Sequence, residues 1–156
     1  MKKSTFLYFL FLPIILFAQE GQNVYPFLNI PVSARQAALG GDAVSIRDFD
    51  VSFAGVNPGL MNLEQDQMIS LNFASYLADS KYGTISFVKD LGEAHLISFN
   101  ARYMDYGRMP RTDESATIDG EFGAMDASVG LGYAYQFDEN WTIAGGTNFI
   151  SSKIDN

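Results

Sequence analysis

The sequence predicts an all-β fold, an antiparallel transmembrane β-barrel of the outer-membrane type preceded by a short irregular or helical lead-in. Three observations predict it. From Met68 onward hydropathy alternates with a period of two, and the stretch DASVGLGYAYQF, Asp126 to Phe137, does so without a miss. The alternating runs are long: Ala94 to Gly107 would extend roughly 40 Å or more at about 3.3 Å per residue. Soluble strands usually hold about five or six residues, and a tilted membrane strand needs about nine to eleven. The third observation is the chemistry of the two faces. Ser128, Gly130, Gly132 and Gln136 oppose Val129, Leu131, Tyr133, Tyr135 and Phe137.

Residues 1–18 read as a signal peptide. Lys2 and Lys3 precede an apolar run from Phe6 to Phe17, and Ala18-Gln19 offers a cleavage site. The run is too short to cross a bilayer as a helix. Without Lys2 and Lys3 the chain carries eight Lys/Arg against eighteen Asp/Glu. Such an acidic surface argues against nucleic acid as a partner, because phosphate contacts need cations. The chain contains no cysteine, which excludes disulfides and a lipid-modified N-terminal cysteine.

Residues 19–67 form the lead-in, or plug. SARQAALGG predicts a short helix over Ala34, Arg35, Gln36, Ala37, Ala38 and Leu39, with Ser33 as N-cap and Gly40-Gly41 past its end. Asn57-Pro58-Gly59 is a turn by residue chemistry. Pro26, Pro31 and Pro58 discourage a continuous sheet.

Residues 68–156 read as a meander of about five strands. MISLNFASYL comes first, with Ile69, Leu71 and Phe73 on one face. ADSK turns the chain into YGTISFVKDL, and LGE turns it into AHLISFNARYMDYG. A longer charged connection follows, RMPRTDESATIDGEFGAM. The DASVGLGYAYQF strand, the turn DEN and WTIAGGTNFISS complete the series.

Alternation alone fits two architectures. In a soluble sandwich the apolar face is the core; in an outer-membrane barrel it meets lipid, and the small or polar face lines the interior. Aromatic placement favours the barrel. Tyr135, Phe137 and Trp141 gather at the DEN turn, and Tyr103 lies toward the other end of its strand, as a girdle at each interface requires. Lipid is therefore the expected environment of Val129, Leu131, Tyr133, Tyr135, Phe137 and Trp141. Short turns LGE and DEN fall on one side and the charged connection on the other, as in barrels with long outer loops. Five strands cannot close a barrel, which takes about eight at least. The expectation is that this chain is the N-terminal portion of a larger barrel and is truncated.

Little in the sequence suggests catalysis. His95 is the one histidine, and without cysteine a His/Cys metal site cannot be built. No serine-nucleophile or phosphate-loop motif occurs. No enzyme activity, cofactor or metal is expected. Asp113, Glu114, Asp119 and Glu121 read as a solvated acidic loop. With Arg108 and Arg111 they make the connection a candidate partner surface. Arg102 and Asp126 fall on the polar faces of neighbouring strands and are expected to pair across the interior.

PVSARQAALGGDAVSIRDFDVSFAGVNPGLM and GEFGAMDASVGLGYAYQFDENWTIAGGTNFI together resemble the PorQ-type outer-membrane proteins of the type IX secretion system. These are relatives of PorV-type proteins and, more distantly, of FadL-type transporters. The resemblance runs from Val24 to the end, and its most telling residues are Ser33 to Gly41 and Asn57, Pro58 and Gly59. It implies a FadL-like barrel of roughly fourteen strands and location in the outer membrane. It also implies a non-enzymatic role in anchoring a surface partner beside PorV-, PorU- and PorZ-like proteins. A FadL-like transporter of hydrophobic compounds, with residues 19–67 plugging the lumen, and a soluble secreted β-domain are the alternatives.

Overall fold

The computed structural model describes residues 24–41, 45–76, 79–112, 117–138 and 140–155. The expected signal peptide, 1–18, lies outside the described residues, as do Asp113 and Glu114. Five antiparallel strands follow one another in a single sheet: β1 (Ile69–Ser75), β2 (Lys81–Asp90), β3 (His95–Thr112), β4 (Ile118–Gln136) and β5 (Thr142–Asp155). Each pairs with its sequence neighbour, and the sheet does not close on itself.

The lead-in is a series of short turns, and after the first, Pro26–Asn29, each is started by a side chain that caps it. Helix α1 (Ala34–Ala38) begins where Ser33 Oγ accepts the Gln36 N–H at 3.2 Å, and Gly40 past its end has φ 93°. Asp50 caps the 3₁₀ turn Val51–Gly55, and Asn57 caps Pro58–Leu60. Asn62 and Gln65 form a capping box around Leu63–Gln65. Short polar caps in series let the chain change direction without leaving N–H groups unpaired.

The strands run further than the alternation suggests. The charged connection Arg108–Met125 is not a loop: Arg108 pairs with Gly123, Met109 with Phe122, Pro110 with Glu121 and Thr112 with Ile118. Register shifts between Asp105 and Arg108, and between Pro110 and Thr112, explain why the sequence hides this ribbon. Each shift breaks the period of two, and Gly107 and Pro110 lie within them.

The two faces of the sheet differ in polarity and in exposure. The inner face buries Thr84, Ser86, Ser98, Asn100, Asp126 and Ser128, all under a tenth exposed. The outer face leaves Leu71 73%, Phe73 72%, Leu131 53% and Phe149 65% exposed. The core lies between the inner face and the lead-in. Val51, Ala54 and Met61 of the lead-in pack with Val88, Leu96 and Ala134 of the sheet. Phe27 packs with Tyr82 and Met104.

Candidate functional site

Two surfaces carry the chemistry: the outward face of the sheet, and the seam between its inner face and the lead-in. On the outward face the cross-strand row Ile69–Phe87–Phe99–Leu131–Thr147 is apolar until its last residue. The row above it, Leu71–Ile85–Ala101–Val129–Phe149, is wholly apolar. Charges bound this band. At one limit runs the row Ser75–Lys81–Asp105–Met125–Lys153. At the other Lys89 reaches Asp66 at 3.1 Å.

Aromatic rings collect beside that second limit. His95 Nδ1 lies 2.7 Å from the Tyr133 hydroxyl, and its ring stacks on Tyr135 with centroids 4.6 Å apart. Tyr135 meets Phe137 edge-on, also at 4.6 Å. Phe137 and Trp141 are exposed at the turn and joined by the bond from Phe137 N–H to the Trp141 carbonyl at 2.9 Å. Val129, Leu131, Tyr133 and Tyr135 lie on this same outward face. Tyr103 faces outward between Gly83 and Ala127, one step inside the first charged row.

The seam is polar, and wall side chains make it by bonding to lead-in carbonyls. Arg102 donates from Nη1 to the Leu28 carbonyl and from Nη2 to that of Gly55, each at 2.6 Å. Thr84 Oγ1 donates to the Val32 carbonyl at 2.7 Å and the Tyr82 hydroxyl to Ile30 at 3.4 Å. Ser52 and Ser70 share a hydroxyl contact of 2.6 Å. Pro58 sits in a socket cut by two glycines. A Cβ on Gly132 or Gly146 would stand 3.1 or 3.2 Å from Pro58 Cγ.

The expected pair of Arg102 with Asp126 is not formed. The register sets Arg102 opposite Ser128 and Asp126 opposite Met104. Asp126 Oδ2 instead accepts from the Tyr106 hydroxyl at 2.7 Å. The lead-in brings carbonyls to the guanidinium, and no reading of the strands alone could place them there. Tyr82 and Thr84 were missed for the same reason, and Tyr106 because its partner Asp126 was assigned to Arg102. Their only signal was a polar or amphipathic side chain on the small-residue face.

The SARQAALGG segment is a structural knot. Gln36 Oε1 accepts the Val32 N–H at 2.7 Å while Nε2 donates to the Gly41 carbonyl. Arg35 pairs with Asp48 and, at 3.8 Å, with Asp50, and its guanidinium lies 5.8 Å from the rings of both Phe49 and Phe53. Desolvation pushes the Asp48 carboxyl up. The N–H of Asp50 and the Arg35 guanidinium outweigh it and hold the group below its ordinary value. Asp66, which accepts from the Gln67 side chain, the Asp90 N–H and Lys89, is lowered to about 2.

In the β3–β4 ribbon Arg108 lies 3.7 Å from Glu121, and Arg111 lies 3.8 Å from Asp119. These exposed pairs are of the weak kind. Among the described residues no three His, Asp or Glu side chains gather as metal ligands, and no helix is long and apolar enough to cross a membrane. No family model, curated protein or solved structure matches the chain.

Proposed function

We propose that these strands are a sector of an outer-membrane β-barrel wall, with the lead-in as its plug, and that the protein anchors a surface partner without catalysing a reaction. The observation that carries the wall is the contrast between the sheet's two faces: a buried polar face against its own lead-in and a broad exposed apolar face. Soluble monomers rarely expose apolar patches above a few hundred Å², whereas lipid requires one.

Two further features agree with it. Lys81 and Lys89 bound the apolar band on β2, and the eight residue steps from one to the other span about 26 Å at roughly 3.3 Å each. The lipid-facing band of such barrels is about 25 Å tall. The stagger also runs one way. The row that begins at Ile69, the first residue of β1, meets β5 at Thr147, well inside it. Barrel closure requires such a consistent shear and tilt. Further strands would pair with the edges of β1 and β5 to close the wall.

The anchoring role, in a type IX-type secretion and attachment machinery with PorV-, PorU- or PorZ-like partners, rests on the resemblance of SARQAALGG and Asn57-Pro58-Gly59. The polar middle of the inner face, Ser86, Ser98, Asn100 and Arg102, supports anchoring over FadL-like transport.

Fractionation of cells tests the wall. Recovery in the outer membrane, extracted only by detergent, is expected; a detergent-free soluble protein would contradict it. Removal of the ribbon tip between Arg108 and Glu121 tests the anchoring role. It should release the surface partner while leaving the remaining protein heat-modifiable on gels, and a retained partner would contradict it.

A further inference from the structure

Residues 24–32, VYPFLNIPV, carry no charge, yet three wall side chains hold them. Arg102 donates to the Leu28 carbonyl at 2.6 Å, the Tyr82 hydroxyl to Ile30 at 3.4 Å and Thr84 Oγ1 to Val32 at 2.7 Å. The acceptors are alternate carbonyls of one short arm. The donors are inner-face neighbours, since Tyr82 and Thr84 lie on one face of β2 and Thr84 pairs with Arg102. The wall therefore reads the arm through its backbone, which other sequences share.

One side chain of the arm adds selectivity. Phe27, 1% exposed, packs with Tyr82 and Met104, and Tyr106 and Ile150 lie against the same cluster. Backbone shape adds the rest. Ile30 has φ −67° and ψ 132°, in the polyproline II region to which a residue before proline is directed. Pro26 and Pro31 have no N–H, so the arm presents carbonyls and few donors. Aromatic side chains along a slot for an extended, proline-containing segment are the usual means of recognising proline-rich peptides.

The slot is wider than the arm. A space of about 120 Å³ lies beside Pro31 and Val32, bounded by Asn72, Ala74, Tyr76 and Tyr82. An empty slot would be costly, because the Thr84 hydroxyl and the Arg102 guanidinium would lose their acceptors. Only another segment that offers carbonyls can replace the arm without that loss. The slot also lies toward the ribbon end of the inner face: Tyr82 and Met104 pair one step below Lys81 and Asp105.

We propose that the arm is a place-holder, displaced by an extended, proline-containing segment of the surface partner. That segment sets an aromatic side chain in the Phe27 pocket and its own carbonyls on Arg102, Tyr82 and Thr84. The uncharged arm leaves without breaking an ion pair, and its carbonyls pass to water. The exchange rests on the anchoring role proposed above, but its test does not use the partner.

The probe is a fluorescent peptide of the arm's own sequence, YPFLNIPVS, added to the full chain folded in detergent, with binding read by anisotropy. The wild type should bind it weakly, because the tethered arm competes at an effective concentration of about millimolar. Phe27→Ala in the chain loosens that competitor and should raise the affinity for peptide about tenfold or more. Phe27→Leu, which keeps an apolar side chain in the pocket, should raise it less. Thr84→Val added to Phe27→Ala should lower the affinity about tenfold, and a peptide with alanine for its phenylalanine should bind poorly. Affinity that neither Phe27 substitution raises, or that Thr84→Val leaves unchanged, overturns the exchange. The two readings fail separately. Peptide binding together with a partner that survives removal of the ribbon tip sinks the anchoring role alone. No peptide binding, together with a partner released by that removal, sinks the exchange alone.

Discussion

Arg102 on β3 donates to the Leu28 carbonyl at 2.6 Å, closing a contact between residues 74 apart in sequence. The same guanidinium holds Gly55, so one wall residue ties two distant parts of the lead-in to the sheet. Among the described residues no carboxylate lies within ion-pair distance of it. Neutral groups, the two carbonyls and the Tyr82 side chain, surround it, and loss of the carbonyl bonds would be felt on both sides of the seam.

Arg102→Leu should therefore destabilise the docked lead-in by about 2–4 kcal/mol, since it leaves two carbonyls without donors. Protease should cut residues 24–67 faster than in the wild type. Asp126→Asn should be mild by comparison, because the Tyr106 hydroxyl can still donate to the amide oxygen. Equal effects from the two substitutions would revive the ion pair expected from the strands.

Gly132 and Gly130 should respond differently to added bulk. A Cβ on Gly132 meets Ser98 Oγ at 2.5 Å and Pro58 Cγ at 3.1 Å, whereas one on Gly130 meets the end of the Asn148 side chain. Asn148 lies on β5 and is exposed, so it can swing away. Gly132→Val should cost about 1–3 kcal/mol through overpacking, and Gly130→Ser should cost little. Denaturant titrations of the two variants in detergent make the comparison.

Ser52 and Ser70 offer a covalent check on the seam. Their hydroxyls are 2.6 Å apart, and the chain has no cysteine to confuse the result. Ser52→Cys with Ser70→Cys should form a disulfide under mild oxidation, seen as a faster-running band that reductant removes. Failure to cross-link in the folded protein would mean that the lead-in does not rest on β1.

Acid should loosen the Asp66 junction. Its folded value, about 2, lies below the ordinary 3.8, so the ionised carboxylate favours the folded state. That contribution is fully present above the unfolded value and is lost as pH falls from about 4 toward 2. Asp66→Asn should lower stability near neutrality and flatten the stability-against-pH curve in that window, so that the two proteins converge in acid. An unchanged acid limb would show that the bonds from Asp90 N–H and Lys89 contribute nothing.

The strands were legible because alternation is a local property, and Ile69, Leu71, Phe99 and Leu131 each announce their face. Ser33, Gly40 and Asn57 announced their caps and turns equally well. The ribbon above Asp105 was not legible, since the bulge at Gly107 breaks the period just where pairing continues. The seam was half legible: Gly132 stands on the small, polar face expected to line the interior, and Pro58 fills the space beside it. The partners of Arg102 and Thr84 were invisible, because they are backbone carbonyls, which carry no sequence signal, delivered by a segment with no period of its own.

The facing of β4 is the point on which the account turns, and spin labels on single cysteines at Leu131 and Ser128 read it directly in vesicles. A Leu131 label should be open to oxygen dissolved in the bilayer and closed to a water-soluble relaxant, with the Ser128 label shielded from lipid beneath the lead-in. A Leu131 label that responds to the aqueous relaxant, or a Ser128 label that meets lipid, would contradict it.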